Sequence, residues 1–461
     1  MLKIYNTMSQ SIEEFKPLHA GEVNMYVCGP TVYNYFHIGN ARVFLVFDTI
    51  RKYLEYSGYK VKFAQNVTDI DDKIIKKAAS EGVLWSAIAE KYTTAYLEDL
   101  AKLNVTPADI NPKATEEIPA MLALIQNLMD KGIAYVSKNG VYYDVTKFEG
   151  YGKLSHQKMD ELVEGARVEV DEEKKNPLDF ALWKFSKPGE PSWEAPWGAG
   201  RPGWHIECSA MSGKHLGATF DIHGGGADLV FPHHENERAQ SEAANGVTFV
   251  NYWMHVGYLN IRGEKMSKSK GNFAFIRDIL NDYMQDKENT ANVIRLFILS
   301  AHYRGPLDFS NDNMDSVRNG YREIYYTAQR LAQVKAKPAA SFVGRDFIKE
   351  FKEAMDEDFN TSKAIACVYD CAAAAKTELG KKNIESFVLL GKTMLEMCAV
   401  LKITPVLKTI DAQITELAKQ IDLLRKEKQY EKADILKKQA AETGYMLEFT
   451  AAGTFAIKEL K

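Results

Sequence analysis

The chain is poor in cysteine. Five residues among 461, Cys28, Cys208, Cys367, Cys371 and Cys398, form a sparse and odd set. That excludes a secreted disulfide framework as the organising principle and leaves free thiols or metal ligands. Long apolar runs are also missing: no stretch of 18 or more apolar residues occurs, and Met1-Leu2-Lys3-Ile4-Tyr5-Asn6 has no basic segment leading into an apolar core. Neither a membrane span nor a signal peptide is expected, and the expected location is cytoplasmic. Charge of one sign is scarce, with a formal net charge of −4, so any nucleic-acid binding must rest on a local patch. There is no internal repeat or low-complexity tract. What is present, 46% hydrophobic and 26% charged residues, is the composition of a folded globular chain. The length predicts about two to four domains.

Met25-Tyr26-Val27 reads as a strand running into a Gly-Pro turn, Ala41 to Tyr56 has helical apolar spacing, and Val61-Lys62-Phe63-Ala64 reads as a second strand. Strand, helix and strand make a βαβ unit, whose ligands bind at the carboxyl ends of the strands. From about Asn111 to Pro202 the texture changes, with a charged run from Glu161 to Lys175 and a Pro-, Gly- and Trp-rich stretch from Pro188 to Trp204. The predicted fold is α/β, a split Rossmann-type parallel sheet with a connective insertion, followed by an all-α C-terminal region. The expected boundaries are 1–110 and 203–260 for the two halves of the sheet and 111–202 for the insertion. A lysine-bearing loop and its continuation follow at 261–310, a helical bundle at 311–405 and a terminal region at 406–461. Ile410, Ile414, Leu417, Ile421 and Leu424 share one helical face, and Gly444 suits a helix C-cap. Cys367, Cys371 and Cys398 read as helix-core residues.

Zinc favours four ligands drawn from Cys thiolate, His nitrogen and carboxylate oxygen. Cys28, Cys208, His233 and Glu237 supply that set. His233 and Glu237, four apart on a helix expected to begin near Pro232, share a face, while His234 is expected to point elsewhere. Cys28 and Cys208 are each expected to end a strand, one in each half of the sheet. On residues alone two other readings stand: buried cysteines acting as small hydrophobes, and a surface His/Glu pair.

A triphosphate needs positive charge and donors more than covalent chemistry. His37 and Asn40, at the start of the helix after the first strand, reach such oxygens together with the helix N-terminus. Lys265 and Lys268, in Lys265-Met266-Ser267-Lys268-Ser269, are placed to close from the other half. In His223-Gly224-Gly225-Gly226-Ala227-Asp228, glycine admits close backbone approach to an adenosine and Asp228 supplies an acceptor. A plain glycine turn explains the same string.

Several strings together resemble the cysteinyl-tRNA synthetase family of class I aminoacyl-tRNA synthetases over nearly the whole chain. They include Met25 to Tyr33, Asn66-Val67-Thr68-Asp69-Ile70-Asp71-Asp72-Lys73, Asp179 to Lys184, Arg201 to Met211, Phe231 to Glu237, Lys265 to Asn272 and Ala354 to Thr361. The resemblance implies one Zn2+ held by Cys28, Cys208, His233 and Glu237, binding the sulfur of substrate L-cysteine. It implies an amino-acid pocket lined by Thr31, Thr68 and Trp204. Catalytic His37, Asn40, Lys265 and Lys268 follow, with ATP, accompanied by Mg2+, against Gly39, Gly225, Asp228 and Lys268. It further implies tRNA-Cys as partner, with stem contacts near 261–310 and the anticodon end read by 406–461, a monomeric chain and no membrane. The family signature usually has His where this chain has Asn40, an amide donor that cannot become cationic. Lys270 stands where an apolar residue is frequent.

The implied reaction is attack of the cysteine carboxylate on the α-phosphate of ATP, then transfer to the terminal ribose of tRNA. A related ligase joining cysteine to an amino-sugar inositol shares this chemistry but lacks the anticodon-binding end, so the long helical tail from Ser310 favours tRNA. A non-catalytic derivative would be expected to have lost His37 or the Lys265 to Ser269 loop.

Overall fold

The computed structural model describes residues 1–158, 174–265 and 273–460, with residue 265 in its backbone only. The chain divides into two compact units, one built mainly from residues 1–259 and the other mainly from 278–303 and 307–461.

In the first unit, four parallel strands form the central sheet in the order Val250–Val256, Phe220–Gly226, Glu22–Val27, Lys60–Gln65. The two middle strands come from distant parts of the sequence and meet in the register Met25↔Ile222 and Val27↔Gly224. Apolar, fully buried strands are what a parallel sheet covered on both faces requires. Tyr26, Val27, Phe220 and Ile222 are all at 0% exposure. The helix Ile38–Tyr56 crosses between the strands Glu22–Val27 and Lys60–Gln65 and buries Ala41, Leu45, Phe47 and Leu54. The predicted βαβ unit is therefore present.

A separate antiparallel sheet runs in the order Ala134–Ser137, Gly140–Tyr143, Phe180–Phe185, Gly200–Pro202. One core cluster joins both sheets, containing Tyr26, Cys28, Tyr143, Trp183, Ile206, Cys208, Met211 and Trp253. Trp183 and Trp253 are fully buried, each contributing roughly 4–6 kcal/mol of transfer free energy as an upper bound.

One expectation is corrected in this unit, and one alternative reading falls. Cys208 does not end a strand: the strand Gly200–Pro202 belongs to the antiparallel sheet, Gly203 is an N-cap, and Cys208 sits in the second turn of the helix Trp204–Leu216. The triple glycine is not a turn, because Gly224, Gly225 and Gly226 continue the strand Phe220–Gly226. A Cβ on Gly224 would lie 2.2 Å from the Phe47 ring, so glycine is needed where helix and sheet pack closely.

The second unit is a helical region in which four helices begin on side-chain caps. Ser310, Asp346, Asn360 and Asn383 accept backbone N–H groups at the starts of Asn311–Ala332, Phe347–Asp356, Thr361–Gly380 and Ile384–Val400, worth about 1 kcal/mol each. Cys371 and Cys398 are buried and Cys367 half-buried within these helices, as expected. Ile414 and Ile421 of the helix Ala412–Lys426 pack with Ala433, Tyr445 and Leu447, and Ile410, Leu417 and Leu424 lie against them. Gly444 follows the helix Tyr430–Glu442 with φ 78°. The helical region ends in a hairpin, Tyr445–Thr450 with Gly453–Lys458, which the all-α expectation lacks. Among the described residues, no helix is long and apolar enough to cross a membrane.

Candidate metal and nucleotide site

Val27 closes a central strand, and Cys28 remains attached to the sheet through its N–H to the Gly224 carbonyl at 3.1 Å. Gly29 must be glycine, since a Cβ there would lie 1.6 Å from the Asn66 carbonyl oxygen. Cys28, Cys208, His233 and Glu237 converge with all four ligand atoms within 4.8 Å of one another, every residue buried. Cys28 Sγ lies 3.8 Å from Cys208 Sγ and 3.6 Å from Glu237 Oε1. A tetrahedral zinc with ordinary bond lengths requires donor separations of about 3.3–3.8 Å, so these edges fit. His233 Nε2 and Glu237 Oε1 are 2.9 Å apart, a hydrogen bond that a cation between them would replace.

The electrostatics agree with that fit. The contact with Cys28 holds the Cys208 thiol down at about 6, against its burial. Burial, with Cys208 beside it, pushes the Cys28 thiol up. Burial opposes ionisation of both His233 and Glu237, yet their mutual attraction wins. His233 is carried up to about 10 by Glu237 and Cys208. His223 and His233 together hold Glu237 well below the carboxylate range. Positive charge is thus favoured at the centre of this cluster, as a divalent ion would supply it.

His234 does not point elsewhere. Its Nε2 is 3.4 Å from Cys28 Sγ and 3.9 Å from Glu237 Oε1. The reason is local: Val230–His234 forms a wider π-type turn, with Phe231 non-helical, before the regular helix Glu235–Asn245 starts. Simple i,i+4 spacing therefore does not separate the two histidines. His223 Nε2 also contacts Glu237, at 2.8 Å from Oε2. Adjacent histidines in Pro232-His233-His234 were the available signal, and His223 was visible only as the start of the glycine string.

Of the predicted pocket residues, Trp204 contacts this cluster directly. Trp204, 38% exposed, stacks on the His233 ring with centroids 4.4 Å apart and planes at 24°. Thr31 and Thr68 pair as an isolated parallel bridge beyond the strand ends. The Thr68 hydroxyl donates to Glu207 Oε2 at 2.8 Å. Glu207, missed in the sequence, is buried beside Cys208, and that burial drives its carboxyl well above the usual range.

His37 is the N-cap of the helix Ile38–Tyr56. Its Nδ1 accepts the Asn40 N–H at 3.2 Å, while Asn40 Oδ1 accepts the His37 N–H at 3.4 Å. An accepting Nδ1 leaves the ring proton of neutral His37 on Nε2. Asn40 thus has a task in this capping box, because its oxygen is an acceptor that an imidazolium lacks. Gly39 lies in the first turn, where N–H groups favour anions. Asp228 is exposed in the turn Ala227–Leu229 after the strand Phe220–Gly226. Gly225 backs onto the metal-side cluster, since a Cβ there would meet the His234 ring at 2.8 Å. Lys265 enters only as backbone in the strand Glu264–Lys265. Lys268 and Lys270 lie outside the described residues.

A family model for the tRNA synthetases class I (C) catalytic domain matches residues 14–319, and a DALR-domain model matches 350–404. A cysteine–tRNA ligase of Thermococcus gammatolerans is 46% identical, covering 98% of each chain. One from Thermodesulfovibrio yellowstonii is 47% identical, covering 97% of each. The chain belongs to the cysteinyl-tRNA synthetase family. Solved class I structures share the fold of this cysteinyl-tRNA synthetase family member at low identity. A Mycobacterium tuberculosis methionyl-tRNA synthetase in complex with methionyl-adenylate has a TM-score of 0.61 at 15% identity, covering 83% of this chain and 90% of that one. An Agrobacterium radiobacter K84 LeuRS in a ternary complex has a TM-score of 0.62 at 10% identity, covering 84% and 85%.

Proposed function

We propose that the protein activates L-cysteine with ATP and transfers it to the 3′ end of tRNA-Cys, selecting cysteine through a zinc ion. The observation that carries the zinc reading is the buried Cys28, Cys208, His233, Glu237 tetrad, with two thiols at a tetrahedral edge length. Those four residues would hold the zinc, which would bind the substrate's soft thiolate in preference to the hydroxyl of serine. Discrimination of roughly 10⁴–10⁵ is attainable where a site is built around one polar group, so no editing step is needed.

In the first step a cysteine carboxylate oxygen bonds to the α-phosphorus as the bond to pyrophosphate breaks. In the second, a terminal ribose hydroxyl of tRNA bonds to the acyl carbon, its proton is lost, and AMP leaves. No protein nucleophile is required. His37 offers Nε2–H to the phosphates, with the first-turn N–H groups around Gly39 beside it and the Asn40 amide holding the turn. Lys265 and Lys268 supply positive charge against the negative charge that develops on the leaving pyrophosphate, with Mg2+ accompanying ATP. Trp204, Thr31 and Thr68 shape the amino-acid pocket, while Gly225 and Asp228 border the adenosine. Residues 261–310 meet the tRNA stem and 406–461 its anticodon end. The protein acts as a cytoplasmic monomer.

Cysteine-dependent ATP–pyrophosphate exchange tests this reading. The purified protein is expected to exchange with cysteine and not with serine, and Cys28→Ser to lose exchange. No exchange in the intact protein overturns the synthetase reading, and unchanged exchange in the variant overturns the zinc role.

A further inference from the structure

The cluster contains more donors than one tetrahedral ion uses. Cys28 and Glu237 also belong to a second tetrad, with His223 and His234, whose ligand atoms again lie within 4.8 Å of one another and whose residues are all buried. A ligating imidazole normally hands its other N–H to a fixed acceptor, which sets its tautomer and aims its lone pair. His234 has such support. Its Nδ1 lies 2.7 Å from His255 Nε2, and His255 Nδ1 lies 2.7 Å from Thr7 Oγ1. A proton on His234 Nδ1 leaves the Nε2 lone pair 3.4 Å from Cys28 Sγ. His223 is fully buried, and its Nδ1 has no hydrogen-bond partner among the described residues. It meets the cluster through Nε2, 2.8 Å from Glu237 Oε2, and would present that atom to an ion.

We propose that Cys28, His223, His234 and Glu237 form a second metal station, alternative to the Cys28, Cys208, His233, Glu237 station. The two stations share two ligands, so the ion occupies one at a time. The proposal rests on the reading that the first tetrad holds a divalent ion. The stations differ in chemistry: the first offers two thiolates, the second one thiolate and two imidazoles. Loss of Cys208 therefore shifts the ion and does not release it, and metal content separates from activity.

The test is Co2+ binding to metal-stripped protein, read as ions per chain and as thiolate-to-cobalt charge-transfer absorption. The intact protein is expected to bind one Co2+ with a two-thiolate band, and His223→Ala/His234→Ala to retain that band. Cys208→Ala is expected to keep one Co2+ per chain with about half the charge-transfer intensity, one thiolate having replaced two, and to lose cysteine-dependent exchange. Adding His234→Ala to Cys208→Ala is expected to release the ion. Cys208→Ser and Cys208→Ala/His233→Ala repeat the comparison should one variant fold poorly. Loss of cobalt from Cys208→Ala and Cys208→Ser alike overturns the second station, as does cobalt that survives in Cys208→Ala/His234→Ala. No binding by the intact protein overturns instead the zinc reading on which the proposal rests.

Discussion

Arg42 supports a quantitative prediction. It lies on the helix Ile38–Tyr56, one turn after His37, with 1% of its surface exposed. Its guanidinium donates to the carbonyls of Gly257 at 2.8 Å, Tyr258 at 2.8 Å and Gly305 at 2.6 Å. The two segments it joins lie in close contact, since a Cβ on Gly257 would be 2.5 Å from the Arg304 and Gly305 carbonyl oxygens. Burial lowers the Arg42 pKa to about 10. The ion stays charged at neutral pH, at a desolvation cost of about 3 kcal/mol. Arg42→Met recovers that cost but removes three charge-assisted bonds to backbone carbonyls, at about 1.5–3 kcal/mol each. The net expected loss is about 3 kcal/mol, with Arg42→Lys losing less because it keeps the charge and some donors. Urea unfolding followed by tryptophan fluorescence isolates the relevant unit, because all six tryptophans, Trp85, Trp183, Trp193, Trp197, Trp204 and Trp253, lie within it. A loss below about 0.5 kcal/mol for Arg42→Met, the range of an ordinary surface change, would refute the reasoning.

Gly225→Ala drives a methyl into the His234 ring and is expected to cost about 1–3 kcal/mol of stability from overpacking, read as a lowered urea midpoint. Lys268→Ala is expected to lower ATP–pyrophosphate exchange by about 10²–10³ while zinc content stays at the intact protein's level. Asp72 pairs with Lys184 at 2.8 Å and with Arg201. Burial opposes its ionisation, but these cations, Lys184 first, hold its carboxyl below the usual range. A depressed folded pKa gives stability that is fully present above the unfolded value near 4 and is lost as pH falls through the folded value. Asp72→Asn should therefore destabilise at pH 7, by under about 1 kcal/mol given the pair's partial exposure. Urea midpoints of the variant and intact protein should converge as pH falls through the depressed folded value.

Much of the site was readable because its residues sit where local patterns are strong. Cys28 follows an apolar strand and precedes Gly-Pro, so its place at a strand's carboxyl end follows from turn chemistry. Helical spacing puts His233 and Glu237 on one face but equally fits a surface pair, and their reading as ligands came from the resemblance. Cys208 was misplaced because Gly200–Pro202 is a three-residue strand of another sheet, and a helix begins immediately after it. The position of His234 depends on the irregular turn Val230–His234, for which periodicity carries no signal. Gly224 looked like turn punctuation, yet its demand for glycine comes from Phe47, distant in sequence. The Tyr445–Lys458 hairpin was hidden by its shortness and by the helical texture before it, although Tyr445, Leu447, Phe455 and Ile457 alternate as half-buried strands do.

The central claim is that a metal held by Cys28, Cys208, His233 and Glu237 reads the substrate's thiol. Absorption of the cobalt-substituted protein, titrated with L-cysteine and then with L-serine, tests it most directly. The account predicts that cysteine adds thiolate-to-cobalt charge-transfer intensity, saturating at one equivalent per chain, and that serine adds none. Cysteine binding that leaves the cobalt spectrum unchanged would contradict it.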